Sequence, residues 1–279
     1  MQDNNNVNNQ NILGIFAGRG SLPQILIQEC QKNNRPFKLF LLESEEYDID
    51  YSAHNPSILP YGGIGRFLDL MHQDNVKELI LVGAVNKPTF STLKVDKKGA
   101  LLVAKILANK ILGDDAVLRA VVKFFENEGL KILRVDELLD CIISKKAVLT
   151  QTQPTKDNLN NIALGIKAIK TFSSFDVGQS VVVAQKQIIA IEAIEGTDEM
   201  IKRCRDLSIE YKKNSVLVKM KKRNQSLKAD MPTIGVDTVI NCAKSGIAGI
   251  AIQANSTLVL DKEKVIQEAN RLGLFISVI

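Results

Sequence analysis

The chain has no tryptophan, only two histidines, and aromatic residues at 5% of its 279 positions. Each shortage excludes a class of function. Proteins that hold single-stranded nucleic acid stack bases on aromatic faces, and this sequence has too few to line such a groove. His54 and His72 form no H-E-x-x-H or comparable cluster, and the histidine-rich pattern of a two-metal phosphoesterase is missing. Cys30, Cys141, Cys204 and Cys242 are scattered with no C-x-x-C pair, which argues against a disulfide framework or a zinc knuckle and fits a reducing cytoplasm. Neither a G-x-x-x-x-G-K-[ST] loop nor a G-x-S-x-G elbow occurs, so P-loop phosphate binding and serine-hydrolase chemistry have no support. No apolar run is long enough to cross a bilayer, and membrane contact is therefore expected to be peripheral. Residues 1–11 are too polar for a signal peptide and read as a frayed tail.

What is present describes a globular enzyme-sized chain. Hydrophobic residues make up 45% and charged residues 24%, enough for a real core, and the length predicts two domains. A net charge of +5 suits an anionic substrate or an anionic lipid surface without demanding a nucleic-acid duplex.

From Ile12 the pattern alternates. Strands are expected at Ile12–Ala17, Phe37–Leu42, Glu78–Val85 and Lys131–Val135, with helices after Ser21 and at about Gly65–Asn75, Gly99–Ile111 and Asp114–Glu128. That order predicts a parallel, Rossmann-like sheet over residues 12–145 whose ligands sit at the carboxyl ends of the strands. The segment 146–160, polar and carrying Pro154, is expected to be a linker. Residues 161–279 read as a second α/β domain with a mixed sheet. Its expected elements are helix Asn161–Thr171, a hairpin turning at Gln185-Lys186, helix Thr197–Leu207, strand Ser215–Met220, helix Val236–Lys244, strands Ile247–Gln253 and Thr257–Leu260, helix Lys262–Leu272 and a last strand Leu274–Val278.

Four loops carry residues that chemistry could use. Between Gln225 and Thr238 a single acid, Asp230, lies between a cationic segment (Lys219, Lys221, Lys222, Arg223, Lys228) and the turn residues Pro232 and Gly235. Pro232 pushes the preceding backbone out of the helical region and Gly235 allows unusual dihedrals, so Asp230 is expected on a fixed loop, either bracing a turn or acting on a metal or a water. Ala17–Pro23 resembles the first two glycines of a dinucleotide fingerprint, with Glu43 where a ribose-binding acid would stand, but Pro23 replaces the third glycine. Ser21 is expected to cap the helix that follows, and the amides after Gly20 to face a phosphate. Asp114 and Asp115 open a helix together, where capping needs only one acid; Glu195 and Asp198 surround a glycine turn in which Thr197 is the expected cap. Surplus acids of this kind suit a hard cation such as Mg²⁺.

The blocks Ala17–Pro23, Gly113–Arg119, Asp176–Val183, Glu195–Met200 and Asp230–Thr238, with Ser245–Ala251 and Thr257–Asp261, together resemble the LpxI-type UDP-2,3-diacylglucosamine pyrophosphatases of lipid A synthesis. The resemblance covers almost everything after the tail. It implies an Mg²⁺-dependent hydrolase that splits UDP-2,3-diacylglucosamine into UMP and 2,3-diacylglucosamine 1-phosphate in a cleft between two domains. It also implies a cytoplasmic protein peripheral to the inner membrane face, acting on no nucleic acid, and leaves a homodimer open. On it, Asp230 becomes the catalytic acid, and Asp114, Asp115, Glu195 and Asp198 are candidate metal ligands. Gly18, Gly20, Ser21, Gln179, Thr197, Lys219, Gln225, Lys228 and Thr233 are candidate substrate-binding residues. The chain departs from the family pattern at Gln225–Asp230, which lacks one acid and has Lys228 for arginine, and at Val85-Asn86-Lys87-Pro88, where lysine again replaces arginine. The alternatives are an NAD(P)- or nucleotide-sugar-dependent oxidoreductase using the Gly18 turn, and a non-catalytic lipid-precursor-binding regulator.

Overall fold

The computed structural model describes residues 11–43, 45–86, 93–109, 114–140, 145–175, 177–207, 212, 214–222, 228 and 230–279. The chain divides into two compact units, Met1–Leu139 and Asp140–Ile279.

The first unit is built on one parallel sheet. β1 (Leu13–Ala17), β2 (Phe37–Leu42), β3 (Ser57–Leu59), β4 (Glu78–Val82) and β5 (Lys131–Ile132) lie in the order β3-β2-β1-β4-β5, all parallel. The helices are α1 (Leu22–Lys32), α2 (Ile64–Gln73), α3 (Lys97–Asn109) and α4 (Asp114–Asn127). β1 is a continuous apolar run because crossover helices bury parallel strands on both faces. Phe67 of α2 is fully enclosed and meets Phe40, Phe125 and Phe16 edge to face at 4.9, 5.5 and 5.9 Å, pinning β2 and α4 to the same helix.

The order reverses beside β1, the place where such sheets hold ligands at their carboxyl edge. There the β1–α1 turn runs against the chain leaving β4. Arg19 and Ala84 form an isolated antiparallel bridge, with Arg19 N donating to Ala84 O at 2.8 Å and Ala84 N to Arg19 O at 3.1 Å. Gly18 makes this crossing fit: a Cβ there would stand 2.4 Å from the Ala84 carbonyl oxygen.

The second unit holds a six-stranded mixed sheet. β6 (Ala147–Val148), β7 (Ser180–Ala184), β8 (Gln187–Ile191), β9 (Val216–Lys219), β11 (Gly249–Ile252) and β13 (Phe275–Val278) are ordered β6-β13-β11-β9-β7-β8. The β13-β11-β9 centre is parallel and the β6, β7 and β8 pairings are antiparallel. β10 (Thr233–Ile234) and β12 (Leu258–Val259) form a separate parallel pair. The helices are α5 (Lys156–Phe172), α6 (Gly196–Arg203), α7 (Val236–Lys244) and α8 (Lys262–Arg271). Strand alternation sorts the core into two layers: Val182, Leu217, Ile250 and Ile276 pack with Met200, Val239 and Val265, while Val181, Val183, Val216 and Val218 pack with Ile162 and Ile169 of α5.

Several local expectations need correction. Residues 146–160 are not a linker: β6 joins the sheet against β13, and Thr155 opens α5 with a reciprocal cap, Asn158 N donating to Thr155 Oγ1 at 3.2 Å and Thr155 N to Asn158 Oδ1 at 2.9 Å. α5 begins five residues before Asn161 because Asn158 and Asn161, polar by type, are buried, each donating its side-chain amide to Asn214 O at 2.9 Å. Ser21 precedes α1 in helical geometry with no side-chain cap bond, and Glu195 rather than Thr197 occupies the N-cap of α6. Gly235 has φ −139°, extended backbone that any residue adopts. The hairpin turn at Gln185-Lys186 is as expected, both residues at positive φ.

Candidate functional site

The carboxyl end of β9 carries an unusual residue for a sheet core, the lysine Lys219. Its neighbours in register are Ser180 of β7 and Ile252 of β11, so the side chain rises at the middle of the sheet, and the residue is only 6% exposed. Its ammonium donates to Thr197 Oγ1 at 3.0 Å, and Thr197 Oγ1 lies 3.2 Å from Ser180 Oγ. Desolvation pushes the Lys219 ammonium below the usual lysine range, opposed by Glu192, Asp198 and Asp230, whose charges act on it in that order. Thr197 is thus the acceptor for a buried cation in the first turn of α6, one residue inside the helix rather than at its N-cap.

Glu192, immediately after β8, is also buried, and its Oε2 accepts from Gln179 N at 3.3 Å. The close approach requires Gly178, where a Cβ would lie 2.1 Å from Glu192 O. Gln179 O in turn accepts from Met220 N at 3.0 Å, fastening the start of β7 to the end of β9. Asp230 and Met231 lie in neither helix nor strand just before β10, as expected from Pro232, whose carbonyl accepts from Leu258 N at 2.8 Å. Thr233 Oγ1 donates to Met231 O at 2.9 Å.

Gln179, Thr197, Lys219, Asp198 and Asp230 therefore gather at one edge of the second sheet. Glu192 and Ser180 belong with them and are not among the residues singled out from sequence; the only signal of Glu192 is its place directly after an apolar strand. Glu195 is drawn to Arg203, whose Nη2 is 3.2 Å from its Oε1. Lys228 is described and half-buried, whereas Gln225 lies outside the described residues.

In the first unit, Asp114 and Asp115 occupy the first turn of α4, with Asp115 buried. The glycine amides of the β1–α1 turn already have acceptors: Gly18 N donates to Val82 O at 2.7 Å, and Gly20 N to Asp48 Oδ2 at 2.8 Å. A carboxylate of the protein itself thus stands at the amino end of α1. Beside it, sequence reasoning missed a second polar cluster. Glu45, its side chain fully enclosed, receives Asn86 N at 2.7 Å, Asn86 Nδ2 at 3.1 Å and the Tyr61 hydroxyl, and lies 3.4 Å from Arg19 Nε. Burial and the Glu45 carboxylate push the Tyr61 phenol well above the usual tyrosine range.

Among the described residues no three histidine, cysteine, aspartate or glutamate side chains come together to hold a metal. Mg²⁺ usually takes one or two carboxylates and completes its octahedron with water and substrate phosphates, so its binding does not require such a cluster.

Comparison with known proteins follows the same two units. Residues 12–142 match the model of the LpxI N-terminal domain and residues 145–277 that of the LpxI C-terminal domain. A curated relative, UDP-2,3-diacylglucosamine pyrophosphatase LpxI of Caulobacter vibrioides, is 32% identical over 269 residues, 95% of this chain and 96% of the relative. Matched in both halves by the domain models and along nearly its whole length by that relative, the chain belongs to the LpxI family.

Proposed function

We propose that this protein hydrolyses the diphosphate of UDP-2,3-diacylglucosamine to UMP and 2,3-diacylglucosamine 1-phosphate in lipid A synthesis. The observation that carries the reading is the buried Lys219 ammonium, with Thr197, Glu192, Asp198 and Asp230 around it, in a chain whose relative is named for that reaction. A diphosphate repels an attacking water by its own charge. A desolvated cation fixed at the sheet edge offsets that charge more strongly than a solvated lysine, because the surrounding medium screens it less.

In this mechanism water attacks the phosphorus joined to the sugar, a P–O bond forms there, and the bridging P–O bond breaks to release UMP. Asp230 accepts the proton of the attacking water or holds the metal. Lys219 faces the negative charge of the diphosphate, oriented by its bond to Thr197. When bound, Mg²⁺ would neutralise phosphate charge and polarise the reacting phosphorus, with Asp230, Asp198, Glu195, Asp114 and Asp115 as the candidate protein ligands. Gln179, Lys228, Thr233 and Gln225 are assigned to substrate contact. The acylated substrate implies peripheral contact with the cytoplasmic face of the inner membrane; no helix among the described residues is long and apolar enough to cross a bilayer.

The oxidoreductase alternative is not favoured: Gly20 is engaged by Asp48, Pro23 stands where the third glycine would be, and Glu43 is exposed beyond β2. The test is UMP release from UDP-2,3-diacylglucosamine with and without Mg²⁺. Asp230→Asn is expected to lower kcat by at least ~100-fold, the usual scale of a lost acid–base group, with the melting temperature little changed. Wild-type turnover in that variant sinks the assignment of Asp230. In ¹⁸O-labelled water the label should appear in the lipid phosphate; label in UMP rejects attack at the sugar-bound phosphorus.

A further inference from the structure

We propose that Arg19 is a phosphate-binding residue of the first unit, its guanidinium set in place by Glu45 and Asn86 to receive a phosphate group of the nucleotide substrate. The assignment rests on the proposed reaction only for the identity of the ligand; the geometry stands alone.

Arg19 is fixed at both ends. Its backbone is bridged to Ala84 across the closest approach of the β1–α1 turn to the chain leaving β4. Its Nη2 donates to Asn86 Oδ1 at 2.8 Å, and its Nε lies 3.4 Å from Glu45 Oε2. Glu45 is in turn held by Asn86 and Tyr61 and has no exposed side-chain surface, whereas the Arg19 side chain remains 38% exposed. Three loops, those after β2, β4 and β3, thus contribute a buried carboxylate, an amide and a phenol to orienting one guanidinium carried on the loop after β1.

Structural ion pairs at a surface seldom warrant such support, since a flexible pair in water contributes little. A planar donor fork held ready for an anion does warrant it, because binding then orders nothing further. The location also fits: Arg19 stands at the carboxyl edge where the strand order reverses. The neighbouring amides of Gly18 and Gly20 are committed to Val82 and Asp48, which leaves the arginine, rather than the glycines, to meet an anion.

The experiment is calorimetric binding to the full chain, with UMP and glucosamine 1-phosphate as separate probes of the two phosphate-bearing halves and uridine as the uncharged control. Arg19→Gln should weaken UMP or glucosamine 1-phosphate by about 10-fold or more, the scale of lost charge-assisted hydrogen bonds, and leave uridine unaffected. Arg19→Lys, which keeps the charge and loses the fork, should recover only part of the affinity. Glu45→Gln should move the same constant in the same direction by a smaller factor. Equal affinities in wild type and Arg19→Gln, or a wild type that binds neither phosphate, overturn the proposal. A wild type that binds UMP through Arg19 yet releases none from the lipid substrate retains Arg19 and removes the proposed reaction instead.

Discussion

Lys219 carries its charge where solvation is poorest, so its hydrogen bond to Thr197 should be measurable in stability as well as in turnover. Thr197→Val removes that acceptor and leaves a buried donor, at a cost of about 1–3 kcal/mol near neutral pH. The pH dependence has a fixed sign. The folded lysine titrates below the ordinary lysine value of 10.5, so the unfolded chain binds more protons between the two values. In that window stability rises with pH as the buried ammonium becomes a neutral amine. The deficit of Thr197→Val should therefore shrink in urea unfolding as the pH is raised from neutrality towards 10.5; a deficit independent of pH over that whole range would mean that the ammonium does not use Thr197. Residue type alone marked Lys219 as a source of charge. Its burial was not legible, since that depends on β7 and β11 flanking β9. Glu45 was less visible still: the run Glu43-Ser44-Glu45-Glu46 offers three acids, and only the fold brings the third of those four residues against Asn86 and Tyr61.

At the scale of elements, what the pattern conveyed well was the long apolar strands and the helices between them, because period and length carry those signals together. What it missed were the short pieces. β3, β6 and β10 have only two or three residues each and owe their existence to a partner already in place. Glycine was misjudged in the same way, by type rather than by surroundings. Gly18 and Gly235 should separate on substitution. Gly18→Ala drives a methyl into the Ala84 carbonyl and is expected to destabilise the first unit by about 2 kcal/mol. Gly235→Ala meets open space in extended backbone and should stay within ~0.5 kcal/mol of wild type. Comparable losses at both sites in denaturant unfolding would contradict the crossing at Gly18.

At the scale of the molecule, each unit has its own sheet and its own helices. The second unit encloses two core layers, one on each face of its sheet. Residues 140–279 expressed alone should accordingly melt in one cooperative transition, followed by circular dichroism; a chain without a sigmoidal melt would show that this core does not suffice. The mixed character of this sheet was expected from the hairpin at Gln185-Lys186, but the sheet order was not, because it hinges on β6.

That small strand has a topological consequence. Val148 pairs with Ser277 and Ala147 with Val278, so the first and last strands of the unit lie side by side and run in opposite directions. Its polypeptide path is nearly a closed loop, and where that loop is cut is a matter of genetics more than of packing. Joined across β6 and β13 by a short linker and reopened at the exposed Gln185-Lys186 turn, the same strands would meet in the same order from a permuted gene.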